Sequence, residues 1–236
     1  MNRYDFVLFD ADNTLFDFDR AEHEALRLAL GAWSIPCPPE TEALYRSINS
    51  ALWAMLDRGE ASRAWLVVER FARLMAELGV GADPAALNQT YLDKLGEQAF
   101  LLPGAEEVCR VLGTSCTLAI LTNGVARAQR GRFGRSPLAG LISHLFISEE
   151  VGASKPSPDF FRPVLQQLGV TDPRRALMVG DNLTTDIGGA AAMGLDTAWY
   201  RPKSHTDNDH NVVPTWEITR LEELIPLVLD SPQDSV

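Results

Sequence analysis

Basic residues are scarce in this 236-residue chain: 21 lysines and arginines stand against 32 aspartates and glutamates, for a formal net charge of -11. A field of that sign repels a nucleic-acid backbone and excludes it as an expected partner. Cysteine is rarer still. Cys37, Cys109 and Cys116 form no CxxC pair and their number is odd, which fits a reducing cytoplasm better than a disulfide scaffold. No apolar run approaches the roughly 18 residues of a membrane-spanning helix. The chain opens directly into MNRYDFVLFD, with no apolar signal region. The expectation is a cytoplasmic protein without a membrane partner. Lysine is nearly missing from residues 19–100, where Lys94 stands alone near the end, so Schiff-base chemistry there is disfavoured.

What is present is ordinary in amount and telling in order. Hydrophobic residues make up 46% and charged residues 22%, enough apolar surface to bury a core. Short apolar runs at 4–9, 117–121, 145–147, 176–179 and 197–200 read as buried parallel strands. Helical patterns at 105–112, 125–133, 158–168 and 185–193 alternate with them, the pattern of an α/β sheet with right-handed crossovers. Residues 19–100 break the alternation, with helical periodicity at 21–30, 40–56, 64–78 and 84–96 and little strand character. They read as a helical insertion between the first strand and the rest of the sheet. The tail from 231 to 236 is expected to fray.

Four motifs carry chemistry, and each follows an apolar strand or lies shortly after one. Asp10-Ala11-Asp12-Asn13-Thr14 places two carboxylates at a strand end. One can attack phosphorus and the other can give and take a proton, although such a pair alone could be an acidic turn. Leu121-Thr122-Asn123-Gly124 offers a hydroxyl and backbone N–H groups at a helix start, suited to an anion or to a plain cap. Lys155 in Gly152-Ala153-Ser154-Lys155-Pro156 is either a site cation or a solvated lysine. Gly180-Asp181-Asn182-Leu183-Thr184-Thr185-Asp186 supplies hard oxygen ligands for Mg²⁺, or a capping turn. Together they assemble the parts that phosphoryl transfer requires.

As a set, Asp10-x-Asp12-x-Thr14, Thr122, Lys155 and Gly180-Asp181…Asp186 resemble the four ordered motifs of the haloacid dehalogenase superfamily, across essentially the whole chain. The resemblance implies a Rossmann-like core, residues 1–18 and 101–236, carrying a helical cap, residues 19–100. It implies Asp10 as nucleophile and metal ligand, and Asp12 as general acid/base and a metal ligand through its carbonyl. Thr122 and the Asn123 amide would bind the phosphoryl group, and Lys155 would offset its charge. Asp181 would ligate Mg²⁺ or Mn²⁺, with Asp186 supporting the metal or holding Lys155. Dehalogenases of the superfamily lack an acid at the position of Asp12, because a halide leaves without a proton, so Asp12 points to phosphate esters. Asn13 stands where the commonest phosphatase pattern has Gly, and Asn tolerates unusual backbone angles.

A softer resemblance, carried by Phe9 to Phe18 and by Asn49, Leu52-Trp53, Gly59 and Arg70-Phe71, is to nucleotidases acting on pyrimidine nucleoside monophosphates. It implies a 5′-nucleotidase, with Phe18 and Trp53, and also Trp65, available to stack on a base. These aromatics equally suit cap packing. A phosphatase for phosphoglycolate or a sugar phosphate is the alternative, left open by Arg58, Arg63, Arg70 and Arg73 in the cap. His23, Glu149-Glu150 and the run His205 to His210 read as solvated, and that run lacks a zinc spacing.

Overall fold

In the computed structural model, residues 2–202 and 212–229 are described. The 205–210 run and the tail from 231 lie outside them. The chain folds as two compact units, Met1–Phe18 with Ala99–Val236, and Asp19–Gln98.

The first unit is built on one sheet of six parallel strands: β1 (Phe6–Phe9), β2 (Thr117–Thr122), β3 (His144–Ile147), β4 (Ala176–Gly180), β5 (Asp196–Tyr200) and β6 (Trp216–Ile218). Their order is β3-β2-β1-β4-β5-β6. The chain builds outward from β1 on one side, then returns to build outward on the other. That reversal makes the carboxyl ends of β1, β2 and β4 the place where a crevice opens. Strand residues alternate between two cores. Val7, Phe9, Ile120, Leu177 and Val179 face one apolar layer, and Leu8, Ala119, Leu121 and Met178 face the other, against Phe160, Phe161 and Val164.

The second unit is helical: α1 (Phe18–Ala32), α2 (Pro39–Asp57), α3 (Arg63–Leu78) and α4 (Pro84–Gly96). Pro39 and Pro84 open their helices, where a missing N–H costs nothing. Ser62 and Asp83 accept from Trp65 N and Ala85 N as caps, and Gly79 ends α3 at φ 65°. The interior holds Tyr45, Phe71 and Tyr91, with ring centroids 5.3–5.8 Å apart. Arg70 is buried among them and donates to Asn49 Oδ1 (3.2 Å) and Asn88 Oδ1 (3.0 Å).

The remaining helices belong to the sheet unit: α5 (Ala105–Leu112), α6 (Ala126–Arg135), α7 (Ser148–Val151), α8 (Pro158–Leu168), α9 (Gly189–Ala192) and α10 (Leu224–Leu229). The division between units falls after Gln98, two residues before the expected boundary at 100. Phe100 and Leu101 already pair back onto the core: Asp17 N donates to Phe100 O (3.0 Å), and Leu101 bridges Phe16. The single helix expected over 185–193 is instead a π-helical turn, Leu183–Gly188, followed by the short α9. Asn182 causes the change. Its Oδ1 accepts from Thr184 N and Thr185 N (2.9 Å each), and its carbonyl accepts from both Asp186 N (3.1 Å) and Ile187 N (3.3 Å), a wide turn. Strand β6 was not expected, because Glu217 interrupts its three residues and leaves no apolar run.

Candidate active site

Asp10 is where the chain leaves the sheet. Its N–H still donates to Val179 O of β4 (2.8 Å), but the next residues coil into a loop. Ala11 O accepts from both Leu15 N (3.0 Å) and Phe16 N (2.9 Å), and Asn13 N donates to Phe16 O (2.8 Å). The coil requires Asn13 at φ 57°, in the left-handed region. Asn is among the residues that accept this conformation most readily, and its side chain is tied down by Phe18 N (3.1 Å).

Lys155 reaches this loop from the segment before α8. It is almost fully buried, and its Nζ donates to Asp10 Oδ1 (2.6 Å), Asp186 Oδ1 (2.6 Å) and Leu121 O (2.7 Å). An ammonium has three donors, and all three are used. Burial alone would lower its pKa, but Asp10 and Asp186 outweigh that and raise it, so the group is a cation. Asn123 docks the lysine's own backbone: its Nδ2 donates to Lys155 O (2.9 Å) and its Oδ1 accepts from Lys155 N (3.0 Å). Any phosphoryl contact of Asn123 therefore falls to its backbone N–H. Thr122, buried at the end of β2, accepts from Gly124 N through its hydroxyl (3.0 Å).

Asp186 is drawn in by the wide turn after β4. Its Oδ2 accepts from Asn182 N (3.2 Å), and it lies so close to Gly180 that a Cβ there would come within 2.3 Å of Oδ2. Only glycine fits at the end of β4. Carboxylate oxygens of Asp10, Asp181 and Asp186 all lie within 4.8 Å of one another. Three carboxylates facing one ammonium leave the cluster with excess negative charge. Burial, and then neighbouring carboxylates, push Asp10 up to about 7 and Asp181 up to about 8, with Lys155 acting in the opposite direction. A divalent cation with oxygen ligands fits this donor set. Asp186, with both oxygens already accepting from the protein, is better placed to hold Lys155 than to give its whole carboxylate to a metal.

Asp12 is held by two residues that sequence reasoning missed. Its Oδ1 pairs with Arg132, and its Oδ2 accepts from Gln129 Nε2 (2.6 Å). Both donors lie on α6, whose sequence ARAQRGRFGR carries four arginines. Nothing in that pattern marks Arg132 as the buried one.

The structure thus brings Asp10, Asp12, Thr122, Asn123, Lys155, Asp181 and Asp186 to the carboxyl edge of the sheet unit. Phe18 begins α1, and the Arg132 guanidinium lies over its ring at 5.6 Å. Trp53, half-buried on α2, and Trp65, 42% exposed on α3, belong to the helical unit.

Residues 4–194 match the family model of the haloacid dehalogenase-like hydrolases. The chain is 38% identical over 224 residues to the HAD-hydrolase YfnB of Bacillus subtilis, covering 95% of each chain. It is 35% identical to the pyrimidine 5′-nucleotidase PynA of Streptococcus pneumoniae, over 94% of each chain. It is 33% identical to the pyrimidine 5′-nucleotidase YjjG of Escherichia coli, over 96% of this chain and 98% of that one. A crystal structure of YfnB bound to magnesium superposes with a TM-score of 0.90, covering 95% of this chain and 98% of that one.

Proposed function

We propose, from the premise that this chain belongs to the haloacid dehalogenase-like hydrolases, that it is a Mg²⁺-dependent 5′-nucleotidase for pyrimidine nucleoside monophosphates. The observation that carries the phosphatase chemistry is the buried Lys155 joining Asp10 to Asp186 beside Asp181, with a second carboxylate, Asp12, two residues on.

In this reading a carboxylate oxygen of Asp10 attacks phosphorus. The bond from phosphorus to the 5′ oxygen breaks, its electron pair stays with that oxygen, and Asp12 supplies the proton. Water then attacks the acyl phosphate and gives a proton to Asp12. The bond between phosphorus and Asp10 breaks, restoring the carboxylate and releasing phosphate. The Thr122 hydroxyl donates to a phosphoryl oxygen, and the charge of Lys155 offsets that of the phosphoryl group throughout. Asp10, Asp181 and the Asp12 carbonyl would hold the metal, with Asp186 behind them, and the bound cation supplies charge neutralisation that lets two anions meet.

The pyrimidine nucleotide is favoured by the two nucleotidase relatives and by the state of the cap arginines. A small acid needs a free cation. Arg70 is buried in its own unit, the Nε of Arg63 is buried, and Arg58 and Arg73 pair with Glu60 and Glu69. A phosphate-release panel with Mg²⁺ tests this. kcat/KM for UMP, dUMP and dTMP should exceed that for purine monophosphates, phosphoglycolate and sugar phosphates at least tenfold, about 1.4 kcal/mol of discrimination. A small acid or sugar phosphate at the top of the panel would overturn the substrate while leaving the chemistry in place. We also place the protein in the cytoplasm, on three free cysteines and the absence, among the described residues, of a helix able to cross a membrane.

The raised carboxyls set a pH dependence for metal binding. Between the ordinary unfolded-state value of about 4 and the folded values of about 7 and about 8, the folded chain holds more protons than the unfolded one. These two groups therefore make stability without metal fall as pH rises through that window. Mg²⁺ requires the ionised ligands, so its stabilisation grows over the same range. The Tm difference between Mg²⁺ and EDTA should be several degrees larger at about pH 8 than at about pH 5.5. Equal differences at both would contradict the metal assignment.

A further inference from the structure

We propose that Arg132 and Gln129 are positioning residues that fix the side chain of Asp12 for proton transfer, an inference that rests on the acid/base role given to Asp12 above. Asp12 sits on a loop with its side chain 26% exposed, a setting in which a carboxylate would ordinarily sample several rotamers. Here each oxygen has its own donor. The two donors are three residues apart on α6, so one helix face presents both.

Each donor is itself immobilised. Arg132 is fully buried, and its guanidinium lies over the rings of Phe16 (4.8 Å) and Phe18 (5.6 Å). Gln129 is 3% exposed and lies against Gly124, where an added Cβ would stand 2.1 Å from its Nε2. Gly124 follows Thr122 and Asn123, so the segment that ends β2 also leaves room for the side chain that reaches Asp12. The two donors differ in chemistry. Arginine can only donate, so it keeps Oδ1 an acceptor in every step and leaves Oδ2 as the oxygen that exchanges a proton. The Gln129 Nε2 donates to one lone pair of Oδ2 and leaves the other for the proton that is exchanged. A buried cation over two aromatic rings is also expensive to leave without a carboxylate, which gives the arrangement its rigidity.

A residue that merely holds the loop together would affect all substrates alike. One that positions the acid matters only when the leaving oxygen needs a proton. The test compares kcat/KM for the best alkyl phosphate of the panel with that for p-nitrophenyl phosphate, whose nitrophenolate leaves unaided. Arg132→Gln should lose about 100-fold or more on the alkyl ester and less than about fivefold on the aryl ester. Arg132→Lys should recover part of the loss. Asp12→Asn, run in parallel, should show the same split. Equal losses on both esters for Arg132→Gln, with the split retained in Asp12→Asn, would overturn the positioning role alone. No split in Asp12→Asn would overturn the acid role and this inference with it. Should Arg132→Gln fail to fold, Gln129→Leu takes the same test with an expected split of about tenfold, and equal losses there count against the proposal.

Discussion

Asp10→Asn should lose turnover by about five orders of magnitude or more while folding normally, because in the proposed mechanism it removes a nucleophile that works with its neighbours as a unit. The substitution keeps the shape of the side chain, and an amide oxygen can still accept from Lys155 in place of the 2.6 Å bond seen here. It also removes one of three clustered carboxylates. Without metal, the thermal midpoint should therefore stay level or rise. Phosphate release measured with Mg²⁺, alongside thermal unfolding in EDTA, separates the two effects. Turnover within tenfold of the parent would remove Asp10 from the nucleophile's role. A collapsed midpoint would mean that Asp10 is needed to keep Lys155 buried, a structural duty larger than the repulsion it adds.

Lys155→Met should behave differently, losing activity and stability together. The ammonium holds two carboxylates and a main-chain carbonyl at 2.6–2.7 Å. Removing it leaves Asp10 and Asp186 buried and facing each other without a counter-charge. Breaking a buried ion pair from one side costs about 3–5 kcal/mol, or roughly 10 °C in a chain of this size. In the proposed mechanism, loss of the cation that offsets phosphoryl charge should lower kcat by about 1000-fold. Mg²⁺ should return part of the lost midpoint, because it supplies positive charge at the same cluster. A variant with the parent's midpoint would show that Lys155 is not the keystone of the acidic cluster. The contrast with Asp10→Asn is the informative part: one change empties the chemistry from an intact site, and the other dismantles the site.

These residues were legible because each is local. A short apolar run ends at Asp10, Thr122 or Gly180, and the residue types that follow are ones that turns seldom need together. Helices α5, α8 and α4 were legible to the residue, since Pro158 and Pro84 mark two starts and Leu112 and Gly96 two ends. What escaped depends on contacts that no local pattern records. Arg132 looks like its neighbours Arg127, Arg130 and Arg135 until the ring of Phe16, far away in the chain, is placed beneath it. The wide turn at 183–188 follows from one asparagine satisfying several N–H groups, which helical periodicity does not show. The buried state of Arg70 was hidden in the same way, and so the cap seemed richer in available cations than it is.

The pairing of residues 15–17 with 100–102 has a consequence for how such a protein can change. Asp17 N donates to Phe100 O (3.0 Å) and Leu102 N to Leu15 O (2.9 Å), so the points where the helical unit leaves and rejoins the core are hydrogen-bonded neighbours. From the core's side, the whole of Asp19–Gln98 is one long connection whose ends are held together within the core, so the entropy of closing it depends only weakly on its length. Insertions and deletions within that connection can therefore accumulate while its two anchor points stay in place. In evolutionary terms the connection is an interchangeable cassette whose two ends are stitched by a pair of core hydrogen bonds.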